Sequence, residues 1–193
     1  MDAAGKVIAN LEGERSVAGF QAMMTSGKTF ADLKAKAEKG DNAAKVEYFP
    51  KALRLGHFKL AEARKYLAGL KDVPVEGRKE IDGLFAGLEM KDILAPLYEN
   101  RDQSKRKELQ VAAGRKFWEM DKAGRIPSEE DDVRDFYALI VIAAEEDKNI
   151  PAFEKGLAQL KERFGDKVKR FTDAKEEALE KLKAEKGGEK EPK

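Results

Sequence analysis

From Ser16 onward, apolar residues recur at intervals of three and four, the spacing of helices that bury one face. Val17, Phe20, Met23 and Met24 open the series behind Ser16, a residue suited to an N-cap. A second predicted helix starts at Thr29, turns Phe30, Leu33 and Ala37 inward and stops at Gly40. Asp41 caps a third over Val46, Phe49, Leu53 and Leu55, closed by Gly56; Pro50 is expected to kink or restart it, since proline lacks the backbone donor. Leu60, Ala63, Leu67 and Leu70 line the next, before a break at Val73-Pro74. Ile81, Leu84, Phe85 and Leu88 form another stripe, and Ile93, Leu94 and Leu97 one more around Pro96. Leu109, Ala113, Phe117 and Met120 share one face of a long helix ending near Gly124.

Ser128-Glu129-Glu130-Asp131 reads as a capping box with an acidic first turn. The helix behind it carries the longest apolar run of the chain, Phe136 to Ala144. A run apolar on every side fits a central helix packed all round; its alternative is a buried strand, because Ile140, Val141 and Ile142 are β-branched. The capping signal and the acidic flanks favour helix. Pro151 opens the next helix behind Asn149, over Phe153, Leu157, Leu160 and Phe164, and Gly165-Asp166 stops it. Val168, Phe171, Leu179 and Leu182 mark a last, weakly amphipathic helix. Residues 183–193, charged and carrying Gly187-Gly188, predict a disordered tail.

The first thirteen residues follow a different pattern. Asp2-Ala3-Ala4-Gly5 suits a turn, and Lys6 to Leu11 a short strand ended by Gly13. The expected fold is therefore all-α: an irregular bundle or short solenoid of about eight antiparallel helices, with a short N-terminal strand-like arm. Three segments are expected: residues 1–27, a helical domain over 28–182, and the tail.

Composition narrows the chemistry. Charged residues make up 39% of the chain, yet 38 Lys and Arg nearly balance 37 Asp and Glu. Balanced charge at that density predicts long solvated helix faces and speaks against nucleic acid as a partner. Cysteine is absent, so this chain has no thiol nucleophile, redox pair or cysteine metal site. With a single histidine, His57, a two-histidine metal site would need a second chain. The nine-residue apolar run falls short of the roughly 20 residues that a membrane helix needs. The start, Met1 to Lys6, has no basic segment followed by an apolar one, so no signal peptide is read and the chain is expected to be soluble.

The run Asp2-Ala3-Ala4-Gly5-Lys6-Val7-Ile8-Ala9-Asn10-Leu11-Glu12-Gly13, followed by a helix through Phe20, resembles the end of a thioredoxin-like domain. There, an Asp-x-x-Gly-Lys turn joins the last two strands, and the C-terminal helix packs on the sheet. The resemblance covers about 25 residues. It implies that residues 1–27 are the closing turn, strand and helix of such a fold, followed by a helical, loosely tetratricopeptide-like extension. The family's CxxC and cis-proline lie upstream of this point, where this chain begins, so no redox residue is carried over. A thioredoxin-like parent could be periplasmic or secreted.

Few residues suggest chemistry. Ser26-Gly27-Lys28-Thr29 contains GKT, but Ala22 stands where a phosphate-binding loop has its first glycine, and no strand precedes it. An inter-helix turn is the expectation. His57, after Gly56, suits a helix C-terminus. Contiguous acids such as Glu129 to Asp132 point in different directions from a helix and make a poor metal cage. Arg101, Lys105, Arg106 and Lys107 form one basic group; Lys167, Lys169 and Arg170, with Phe164 and Phe171, form another, both interrupted by acids. Trp118, beside the Phe117 face, is a candidate anchor for a protein partner, and Phe20 and Met24 are candidates if nothing in the chain covers them. The functional expectation is a non-catalytic helical interaction or scaffold module with an unidentified protein partner and no cofactor. The alternative is a subunit or fragment of a thiol–disulfide oxidoreductase whose catalytic half lies outside this chain.

Overall fold

The structure is a computed structural model that describes residues 6–9 and 16–188. Eight α-helices occur among the described residues: α1 (Val17–Glu38), α2 (Asn42–Arg54), α3 (Leu60–Ala68), α4 (Val75–Glu99), α5 (Arg106–Lys122), α6 (Glu130–Glu146), α7 (Ile150–Phe164) and α8 (Lys169–Gly188). The expected all-α class is observed. None of the helices is long and apolar enough to cross a membrane, among the described residues.

Several local expectations are corrected. Residues 6–9 form no strand, and Asn10, Leu11 and the turn over residues 2–5 lie outside the described residues. The two helices expected on either side of Gly27 are one, α1, so the boundary drawn at residue 27 falls in mid-helix. Likewise the stripes before and around Pro96 belong to the single helix α4. Helix α2 runs through Pro50. At α6 the N-cap is Glu129, with no side-chain cap bond, in place of the Ser128 box; three acids do occupy the first turn. The predicted tail is helical as far as Gly188, and residues 189–193 lie outside the described residues.

The chain divides into two compact units, Met1–Leu88 and Glu89–Lys193. The first is built on aromatic rings. Phe30 of α1 meets Tyr48 of α2 at 5.1 Å between centroids, with Ala37, Ala44 and Ala52 closing the helix pair. Phe49, one residue on, turns the other way and stacks on Tyr66 of α3 at 4.8 Å, over Ala63, Ile81 and Leu84. Asp41 accepts from the Ala44 amide as the expected N-cap of α2. At the other end Gly56 takes φ +72°, and the His57 amide reaches back to the Ala52 carbonyl at 2.9 Å, closing orphan carbonyls of the helix.

The second unit is organised around α6, which packs against α5 and α7. Seven of the nine residues from Phe136 to Ala144 are buried, as expected of a central helix. Close approach on both sides depends on glycine. A β-carbon at Gly114 of α5 would stand 2.0 Å from the Leu139 carbonyl oxygen, and one at Gly156 of α7 2.7 Å from Val141 Cγ2. Phe117 stacks on Phe136 at 5.0 Å. Much of the charge lies in bridges between helices: Arg115–Asp147 at 2.6 Å, Lys107–Glu146 at 2.6 Å, Lys183–Glu154 at 3.0 Å, and Lys175–Glu145 and Lys161–Glu176. These pairs account for part of the balanced charge seen in the sequence.

Candidate functional site

Three of the exposed large apolar side chains of the first unit stand together on α1. Ser16 fixes the start of that helix by accepting from the Gly19 amide at 3.0 Å. At 3.6 residues per turn, Gly19, Phe30 and Ala37 then face the core and are buried. Val17, Phe20 and Met24 occupy a second stripe, rotated away from the core, and are exposed to 76%, 55% and 57%. This stripe continues into Gly27, which is covered by Ile8: its Cδ1 lies 3.4 Å from the position of a glycine β-carbon. Ile8 also packs against the Phe30–Tyr48 cluster.

His57 belongs to the same locality. Its ring meets Phe30 edge-on at 5.1 Å, and Nε2 contacts the Val7 carbonyl. Its backbone amide closes the end of α2, and its side chain holds the segment that carries Ile8. The GKT triplet lies in the interior of α1, without the turn expected there.

Trp118 belongs to the second unit and is half-buried on α5. It walls a groove of about 360 Å³ whose floor includes Gly114, Ile140, Ala144 and Ala152. Arg115 bridges to Asp147 at the rim, and this guanidinium holds the Asp147 carboxyl below its ordinary range. Two ammonium groups flank the indole, Lys122 Nζ at 5.8 Å and Lys155 Nζ at 5.7 Å from the ring centre, a cation–π arrangement. Phe20 and Met24 on the one hand and Trp118 on the other thus belong to different units.

A polar cluster passed over in the sequence lies beneath Trp118. Asp121 of α5 has a fully buried side chain, accepts from Tyr137 Oη of α6 at 3.2 Å and is bridged by Lys155 of α7 at 2.5 Å. Burial and the neighbouring carboxylate push the Tyr137 phenol well above its usual range. The signal was present: Asp121 stands four residues after Phe117, a carboxylate on an otherwise apolar face.

The remaining charged groups form no metal cage: among the described residues no cluster of three or more acids and imidazoles is placed to hold an ion. Glu130 pairs with Lys167, Asp131 with Arg134 and Asp132 with Lys91. In the second basic group Phe164 is buried, Phe171 lies under Lys175, and Lys169 bridges to Asp173 at 2.8 Å. No protein-family model matches the chain, and neither a curated protein nor a solved structure matches it.

Proposed function

We propose that this chain is a helical protein-interaction module that engages its partner through the outer face of α1. The observation that carries the reading is the exposure of Val17, Phe20 and Met24 on one stripe. Single exposed apolar residues are ordinary on protein surfaces, but three large ones in line on one helix form the kind of patch that partners cover. The mechanism is burial of that stripe by surface complementarity, with the ring of Phe20 and the flexible thioether of Met24 adapting to the opposing surface. Trp118 and its groove offer a second contact in the other unit, with an aromatic anchor of the type enriched at binding hot spots. The reading stands on α1 and is independent of the thioredoxin-like resemblance of residues 1–25.

A photo-reactive benzophenone residue introduced at position 20 or 24 of the intact protein tests it in the native cell. Cross-linked adducts from these positions, absent from a probe at exposed Lys36, are expected. The Phe20→Ser, Met24→Ser double variant should retain its melting behaviour and compete poorly for the same adduct. Equal labelling from positions 24 and 36 overturns the reading.

A further inference from the structure

The occupant of the α1 face can be specified further, resting on the reading of that face as an interaction surface. We propose that a second copy of this chain covers the stripe, α1 against α1, about a two-fold axis. The first support is electrostatic. Ser16 to Gly27 is a run of twelve residues without one charged side chain, the longest such run in a chain that is 39% charged. A two-fold axis sets each patch against itself, so any uncompensated charge on it meets its own image and is repelled. A neutral patch meets no such penalty, whereas a charged partner would find nothing here to complement.

The second support is spacing. Val17, Phe20, Met24, Gly27 and Ala31 follow one another at intervals of three, four, three and four, the seven-residue repeat by which two helices interlock. The buried residues of α1 are Gly19, Gly27, Phe30 and Ala37, so the repeat shares Gly27 with the core face and is exposed at Val17, Phe20, Met24 and Ala31. Its Gly27 position is filled by Ile8. Among the described residues, that leaves Val17, Phe20 and Met24 as the exposed stretch.

Area fixes the strength. Three side chains and their flanks remove a few hundred Å² per copy from water, well below the ~800 Å² per partner of a stable complex. The dimer is therefore weak and reversible, largely dissociated at about 1 µM and substantially formed at several hundred µM.

Sedimentation equilibrium of the intact chain between those concentrations tests this. The mean mass should rise with concentration from 21.5 kDa toward that of a dimer. Phe20→Glu and Met24→Glu, both at exposed positions, should each keep their helical circular dichroism and hold the mass at the monomer value. A constant monomer mass for the wild type overturns the proposal, as does a dimer that survives both substitutions. A monomeric chain that co-sediments with uncharged phosphatidylcholine vesicles overturns it in favour of a lipid surface. A monomeric chain whose position-24 probe cross-links to a different protein overturns self-pairing but leaves the interaction face standing; if that probe also labels no more than position 36, both readings fail together.

Discussion

Lys155 reaches from α7 to the buried carboxylate of Asp121 on α5, 2.5 Å away, while Tyr137 of α6 donates to the same carboxylate. One side chain thus ties three helices at a point from which water is excluded. The two partners are not equivalent, because Lys155 is half-exposed and Asp121 is not. Lys155→Met strands a buried charge and should cost about 2–3 kcal/mol. Asp121→Asn keeps an acceptor for Tyr137, releases Lys155 to solvent and should cost about 1 kcal/mol. Urea denaturation of both variants checks the order; equal losses would mean that the carboxylate is less isolated than its surroundings indicate.

Gly114 and Gly156 differ in what stands opposite them. An added methyl at Gly114 meets main-chain oxygen and the Ala143 β-carbon, neither of which can rotate away. Gly114→Ala should therefore separate α5 from α6 and cost about 3 kcal/mol or more. At Gly156 the obstacle is a terminal methyl of Val141, and the gain in helix propensity offsets part of the clash, leaving a loss of about 1 kcal/mol. Thermal melts of the two variants measure the difference.

At Gly27 the sign reverses. The nearest atom to a new β-carbon is the tip of Ile8 at 3.4 Å, an ordinary contact, and the glycine sits inside a helix. Gly27→Ala should leave stability unchanged or raise it by about 0.5 kcal/mol. Ile8→Ala should lower it by about 1–2 kcal/mol, since it removes a partly buried aliphatic group from the Phe30–Tyr48 cluster. A neutral Ile8→Ala would show that the Val7–Ile8 segment contributes nothing to the first unit.

Acid should loosen the second unit. Asp147 is held below the usual carboxylate range by Arg115, and Glu130 is held there by Lys167. A folded-state value below the unfolded one gives stability that is present above about pH 4 and lost as pH falls through the folded value. Exposure keeps each contribution modest. Asp147→Asn should flatten the decline of the urea midpoint between neutral pH and about pH 3. Asp132 runs the other way: burial raises its carboxyl despite Lys91. Its contribution is favourable in acid and lost as pH rises through the folded value, so Asp132→Asn should raise the midpoint at neutral pH and have little effect in strong acid.

Helix content was legible because spacing is a local signal. Asp41, Gly56, Gly124 and Asn149-Ile150-Pro151 mark ends at which capping or a positive φ is demanded by the adjoining backbone. Gly27 misled for a non-local reason: its missing side chain admits Ile8 from elsewhere in the chain, and a glycine used for close approach looks in sequence like one used to stop a helix. Pro96 misled because a proline interrupts a helix only when nothing outweighs one missing hydrogen bond. Phe20 and Met24 were legible as a helical stripe, but whether a stripe is core or surface depends on which face Phe30 and Ala37 have already claimed. Asp121 was missed because its partners arrive from helices 16 and 34 residues further along.

Trp118 is the only tryptophan of the chain, and it has two ammonium groups near its ring and lines a groove with residues of α6 and α7. Its emission is consequently a reporter of the second unit alone. The first unit has no such fluorophore, and its own optical signature comes from Tyr48 and Tyr66, packed among phenylalanine rings. A single melt followed by indole emission and by far-ultraviolet circular dichroism therefore asks whether the two halves lose structure at one temperature or at two, without cutting the chain or attaching a dye.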